Sequence, residues 1–517
     1  MTLSEHPISL NQADRNRTHG HPHRALAHRF RDDLPFALTF GGQGAPWLPA
    51  LGELTHDGGT VRDIAQLVDA ANSLLEPIEQ ELLVIRPQFA PGEWLDNPDH
   101  GVNISTAAVS LPGVFLTQLA AIRLFALEGF DVNTVAPAAT AGHSQGVLGV
   151  ESIKHQGERD TELLAIAQLI GAAASLVGRR RGLRSQGEHS AMVSVSKVDP
   201  AEFAAIVDSC TTGMHRHQAP VVAIRNGRRR VVVSGRPDHI ERIIRRCADI
   251  TAGQQAERDA HTRGGRVFAP EFEPVSAEVA FHHPGMFEAV ELVTEWASAC
   301  GLDSDLATRL ATAALVDPVD WVDSVESVLA EGVQWVIDVS PGDGFARLTA
   351  SNARGLGAAV IPGGTRGGHR NLFTPGAAPE LSPGWSDYAP KTVTLPGGRI
   401  VCETSFTRLT GRSPIILAGM TPTTVDPEIV TAAANAGFSA ELAGGGQVTE
   451  ELFTQRVKEL EEQLAPGRAV QFNALFLDPY LWKLQLGGRK LLQKARAGEH
   501  RLTASPSRRE SRNSTTL

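Results

Sequence analysis

A serine set between glycines, Gly142-His143-Ser144-Gln145-Gly146, is the stretch of this sequence best suited to covalent chemistry. Glycines on both sides allow a tight strand-to-helix turn and close approach of an acyl substrate. The Ser144 hydroxyl would stand exposed at the carboxyl end of a strand, with the backbone amide of Gln145 free to meet a developing oxyanion. A serine nucleophile needs a base, and 18 histidines are too many to choose among by presence alone. His282 stands out because it follows the apolar segment 275–280 and precedes Pro284, so a loop at a strand end can aim its imidazole into a site. His283 shares that loop and competes for the role. His143 is poorly placed as a base, since adjacent side chains diverge at an elbow; orienting the loop or a local hydrogen bond is its expected use. The cluster His19, His21, His23 and His28 has no acidic or cysteine complement and reads as surface, so no metal site is expected.

These residues need elements to hold them. Segment 132–141 reads as a short strand interrupted by Pro137, and helical material follows from Val147 through Leu163, Leu164, Ile166, Leu169 and Ile170. Residues 36–40 give a first strand, stopped by Gly41-Gly42-Gln43-Gly44. A helix over 60–83 carries Ile64, Leu67, Val68, Ala71 and Leu74 on one face, with Pro77 breaking it near its end. Another, over 111–127, turns Leu116, Leu119, Ala120, Leu124 and Leu127 to a core. Alternation of helices with short strands argues for an α/β domain.

Between 187 and 255 the order β-α-β-β-α suggests a small ferredoxin-like insert. The larger pattern resumes with strand-like 275–281 and 335–339, the latter closed by Ser340-Pro341-Gly342-Asp343-Gly344. Asp338, an acid at that strand end, is expected to be structural or on the surface. Residues 363–405 are rich in Gly and Pro and read as a linker. From 406 to 502, strands at 414–419, 438–444 and 471–475 alternate with helices at 427–436 and 450–464, giving about three parallel βα units where a barrel has about eight. Residues 1–35 read as a leader or docking segment, and 503–517 as a disordered tail.

The length of 517 residues implies about two to four domains. With 42% hydrophobic and 21% charged residues the chain is of soluble globular type, and without 18 uninterrupted apolar residues no membrane span is expected. A net charge of -10 argues against a nucleic-acid surface; the arginine runs at 179–181, 228–230 and 508–509 suit solvated helix ends or hairpin edges. The cysteines Cys210, Cys247, Cys300 and Cys402 show neither metal spacing nor a disulfide framework, and the first residues lack an export signal. The expected compartment is the cytoplasm.

Taken in order, Leu38-Thr39-Phe40-Gly41-Gly42-Gln43-Gly44, the Ser144 motif, the inserted small domain, and Phe281-His282 with Met286 four residues beyond resemble the acyl-CoA:acyl-carrier-protein transferase domain of type I fatty acid synthases. The resemblance implies an α/β-hydrolase-like core over 36–362 carrying the insert. It also implies Ser144 as nucleophile, His282 as base oriented by a backbone carbonyl, and the amides of Gln43 and Gln145 as oxyanion donors. Acetyl-CoA would be the acyl donor, the phosphopantetheine arm of an acyl-carrier protein the acceptor, and no cofactor would be needed. Malonyl-selecting relatives place an arginine on the helix after the nucleophile; here that stretch is Gln168-Leu169-Ile170-Gly171-Ala172-Ala173-Ala174, with Gly171 or Ala172 near the position. Neither can neutralise a malonyl carboxylate, so acetyl is expected.

Further on, 411–425 and 441–446 resemble the start of the FMN-dependent enoyl reductase barrel of actinobacterial and fungal synthases, which also uses NADPH. Gly419, Met420, Thr421 and Asn473 are the positions this resemblance would set near a flavin. About 100 residues remain after 410, where a barrel takes about 250, so the second domain is expected to be a partial FMN-type TIM barrel. The other synthase domains, in a homo-oligomeric assembly, are the implied partners. A thioester hydrolase and an inactive scaffold are the competing readings.

Overall fold

Phe36-Ala37-Leu38-Thr39-Phe40 is buried at every position, as a parallel strand covered on both faces must be. In the computed structural model, residues 24–505 are described except 56–57, 98, 261–265, 395–397, 399, 411–412, 475–477 and 487–501. His19, His21, His23 and residues 506–517 therefore lie outside the described residues. The chain divides into two compact units, one reaching Trp385 and the other beginning at Ser386.

The described strands of the first unit are β1 (Phe36–Phe40), β2 (Ala139–Gly142), β3 (Met192–Ser196), β4 (Val221–Gly227), β5 (Arg230–Ser234), β6 (Glu271–Pro274), β7 (Val319–Asp320), β8 (Trp335–Asp338) and β9 (Ala359–Pro362). They form two sheets. The core sheet has the order β2-β1-β8-β9 with every neighbour parallel. Three helices matter for the site: α1 (Ala107–Leu127), α2 (Val147–Lys154) and α3 (Asp160–Arg181). By length and apolarity α1 and α3 could each cross a membrane, but 89% and 83% of their apolar windows are buried inside the protein. They pack on one another as core helices, so close that a β-carbon on Gly171 of α3 would lie 2.5 Å from the Ala107 carbonyl of α1.

The second sheet has the order β6-β3-β5-β4-β7, and its first four strands with the helices Pro200–Thr211 and Pro237–Asp259 follow the chain as β-α-β-β-α-β. Its last strand lies beyond the boundary of 255 read from sequence. Segment 275–281, expected as a strand, is not one: Val279 makes a single bridge to Arg184. Val279, Ala280 and Phe281 are buried, so their apolar character records burial rather than pairing. The expected helix over 60–83 is divided, Gly58–Leu74 and Glu79–Ile85, by a 3-10 turn at Pro77.

In the second unit a hairpin of β10 (Lys391–Thr394) and β11 (Ile400–Glu403) falls within the expected linker. Four parallel strands follow in chain order: β12 (Ile416–Leu417), β13 (Ser439–Ala443), β14 (Val470–Asn473) and β15 (Leu502–Ser505). Only two residues of the expected 414–419 strand pair. Conversely, 502–505 pairs with β14 where a disordered tail was expected to start. Val430, Leu442, Phe453, Leu460 and Phe472 make this unit its own core.

Candidate active site

Three loops meet where β1, β2 and β8 end, the carboxyl edge at which parallel sheets bind ligands. Ser144 follows β2 at the start of a 3-10 turn that runs into α2. Its φ is 58°, a left-handed conformation that a non-glycine residue adopts only when its surroundings impose it. The flanking glycines impose it here. A β-carbon on Gly142 would lie 2.5 Å from the Val147 amide nitrogen, and one on Gly146 would run into the Phe40 carbonyl of β1.

His282 lies 138 residues further along, also left-handed at φ 56°. Its Nε2 is 2.7 Å from Ser144 Oγ, and its Nδ1 is 2.5 Å from the carbonyl oxygen of Asp317. A carbonyl only accepts, so Nδ1 carries the proton and the bare Nε2 accepts from the serine hydroxyl. Burial pushes the imidazole down to about 4, against the pull of the Asp317 carbonyl and with a smaller push from His143. The neutral form, able to take a proton, is thus complete at pH 7.

The competing histidines have other partners. His283 accepts from the Gly285 amide at Nδ1 and donates from Nε2 to the Ala219 carbonyl, both at 2.9 Å. His143 bonds Asn226 Oδ1 through Nε2 at 2.8 Å and packs against the rings of Trp321 and Phe345. His282 and His283 are both buried and both held near 4, against 6.5 for a free imidazole. The unfolded chain takes up protons between those values that the folded chain refuses. Stability is therefore full above pH 6.5 and falls as pH drops toward 4, by up to about 3 kcal/mol per histidine. Urea midpoints at pH 7, 5.5 and 4.5 should decline in that order; a constant midpoint contradicts the burial of these rings.

Gln43 and Gln145 are the expected oxyanion donors. Gln145 is the residue after Ser144, in the first turn, where backbone N-H groups have no partner within the helix. The loop bearing Gln43 touches the serine: a β-carbon on Gly42 would lie 2.9 Å from Ser144 Cβ. Gly171 and Ala172 are buried inside α3, and the Ala107 carbonyl leaves no space for a side chain at 171. Of the later arginines, Arg180 and Arg181 face outward to Glu288. Sequence reasoning missed Arg86, buried against α3 with its Nη2 on Gln168 Oε1 at 2.5 Å and its Nη1 on the Pro87 carbonyl at 2.8 Å. It missed Asp317 as well, because any residue type supplies a carbonyl.

In the second unit, Gly419, Thr421 and Asn473 gather at strand ends, and Met420 is half exposed. Their glycine neighbours face protein atoms. A β-carbon on Gly419 would lie 2.7 Å from Asn473 Cβ, and β-carbons on Gly444 and Gly445 would run into the Asn473 carbonyl and the Thr421 side chain. Among the described residues, four parallel strands stand where a closed barrel has about eight. Among the described residues no cluster of three His, Cys, Asp or Glu side chains could hold a metal.

Residues 191–274 match the family model described as Fatty acid synthase central AT domain. The chain is similar to the fatty acid synthase subunit beta of Saccharomyces cerevisiae, 24% identical over 86% of this chain and 25% of the relative. The corresponding subunit of Schizosaccharomyces pombe is 26% identical over 88% of this chain and 24% of its own length. The chain thus spans about a quarter of these curated relatives. These matches show the resemblance to type I fatty acid synthases. The solved malonyl CoA-acyl carrier protein transacylase of Coxiella burnetii aligns with 64% of this chain and 94% of its own at 18% identity, with a TM-score of 0.48.

Proposed function

We propose that the first unit is an acyltransferase of fatty acid synthesis that moves an acetyl group from acetyl-CoA to the phosphopantetheine thiol of an acyl-carrier protein, through an ester on Ser144. The observation that carries this reading is the 2.7 Å contact of His282 Nε2 with Ser144 Oγ, with the Asp317 carbonyl on the other ring nitrogen. Ser144 Oγ attacks the thioester carbonyl as His282 takes its proton. The tetrahedral oxygen is met by the amides of Gln43 and Gln145. As the C-S bond breaks, the imidazolium returns the proton to the departing coenzyme A thiolate. The carrier thiol then gives its proton to His282 and attacks the ester, and Ser144 leaves with that proton. The Asp317 carbonyl holds the ring and faces the positive charge while it exists. No cofactor beyond the CoA thioester enters these steps.

Acetyl is the acyl group because the buried wall at Gly171 and Ala172 has neither a cation nor space for one, so a malonyl carboxylate there would be desolvated without a partner. Arg86, the buried cation packed against that helix from the segment after Glu79–Ile85, has both Nη groups engaged. The reading places the chain in the cytoplasm and gives it carrier protein and further synthase domains as partners, in a homo-oligomeric assembly. Reduction with FMN and NADPH is not proposed for the second unit. Incubation with radiolabelled acetyl-CoA or malonyl-CoA tests the assignment: acetyl should label the protein at least about tenfold faster, corresponding to a charge-desolvation difference above about 1.4 kcal/mol. Carrier protein should then collect the label. A malonyl preference overturns the acyl assignment, and release as free acetate at a rate indifferent to carrier makes the protein a hydrolase.

A further inference from the structure

Asp338 ends β8 beside Thr39 of β1 and is fully buried together with Ser340. The two are bonded to each other and to the loop next to the nucleophile. Asp338 Oδ1 accepts from the Ser340 amide at 3.1 Å and from the Ser340 hydroxyl at 2.6 Å. With its single proton spent on the carboxyl group, Ser340 Oγ is left as an acceptor, and the Gly41 amide donates to it at 2.6 Å. From the other side Gln118 Nε2 donates to the Gly41 carbonyl at 2.9 Å. Gly41 is thus held at both its polar atoms, and no larger residue fits there: a β-carbon would lie 2.5 Å from Ser340 Oγ and 2.7 Å from Phe345 Cγ. The next residue, Gly42, touches Ser144, and the one after is Gln43.

We propose that Asp338 and Ser340 are positioning residues that set the Gly41-Gly42-Gln43 loop so that the Gln43 amide faces the oxygen developing at Ser144. The inference rests on the acyl-serine reading above. Neither side chain touches substrate; they act through the Gly41 peptide. Burial, opposed by bonds from Ser340 and the Ala346 amide, pushes the Asp338 carboxyl up to about 7. What Ser340 requires is an oxygen acceptor, and the amide of asparagine offers one in the same place.

The test is single-turnover acetylation of the full chain by acetyl-CoA. Ser340→Ala and Asp338→Ala should each lower the maximal rate by about 10- to 100-fold, part of the loss seen when an oxyanion donor is deleted outright. The acetyl-CoA concentration giving half-maximal rate should move less than about threefold, because ground-state binding is untouched. Asp338→Asn should restore the rate to within about threefold of the parent, which loss of packing alone would not predict. A parent that labels while Ser340→Ala labels at the parental rate overturns the positioning role and leaves acyl transfer standing. So does an Asp338→Asn variant as slow as Asp338→Ala. A parent that never labels removes the acyl-serine reading, and this inference with it.

Discussion

Ser144→Ala is expected to abolish covalent capture of acetyl from acetyl-CoA and to lower transfer to carrier protein by at least about 10⁴-fold, the scale on which removal of a serine nucleophile acts. The size follows from the two-step route: without the hydroxyl no ester forms, and the carrier thiol must attack the CoA thioester directly. The substitution leaves the fold alone. The Ser144 hydroxyl bonds His282, and the backbone turn is imposed by Gly142 and Gly146 packing on Val147 and Phe40 rather than by the serine side chain. Intact-mass spectrometry reads the result directly, as a gain of one acetyl group on the parent and none on the variant. An acetylated variant would move the nucleophile elsewhere.

His282→Ala is expected to slow acetylation by about 10²- to 10⁴-fold at pH 7 while Ser144 is still present. Its signature is in the pH profile. The parent needs neutral His282, and burial holds that imidazole near 4. Its acetylation rate should therefore be level from pH 8 to about 5 and fall only as pH drops through about 4, with the folded fraction followed at each point by circular dichroism. The variant should have no such acid limb and should instead quicken toward alkaline pH. A parent whose rate already falls near pH 6.5 would mean that His282 is solvated when it works.

Ser144 and His282 were legible in the sequence because each marks a local event: glycines that permit one sharp turn, and an apolar segment ending in a histidine before proline. The first strand, the core helices and the β-α-β-β order were legible from apolar period and turn residues. What could not be read depends on contacts across the chain. Asp317 acts through a backbone atom, 35 residues from the ring it orients. Helix α1 starts at Ala107, earlier than its apolar stripe suggested, with Glu278 accepting from the Ala107 amide at 2.8 Å from 171 residues away. Asp338 was expected to have a structural or a surface role, and which of the two was not legible; the structure places it fully buried, because β8 ends beneath the Gly41 loop rather than at the surface. Segment 275–281 was expected as a strand because burial and pairing leave the same apolar signature over so few residues.

The bond from His143 to Asn226 ties the residue beside the nucleophile to β4 of the second sheet, and Asn352 donates to the Asn226 carbonyl at 2.9 Å. That sheet is therefore not an appendage that can be exchanged freely between relatives. A chimaera built to borrow another protein's insert must keep an amide at this spot, or the ring next to Ser144 loses the anchor that steadies the elbow.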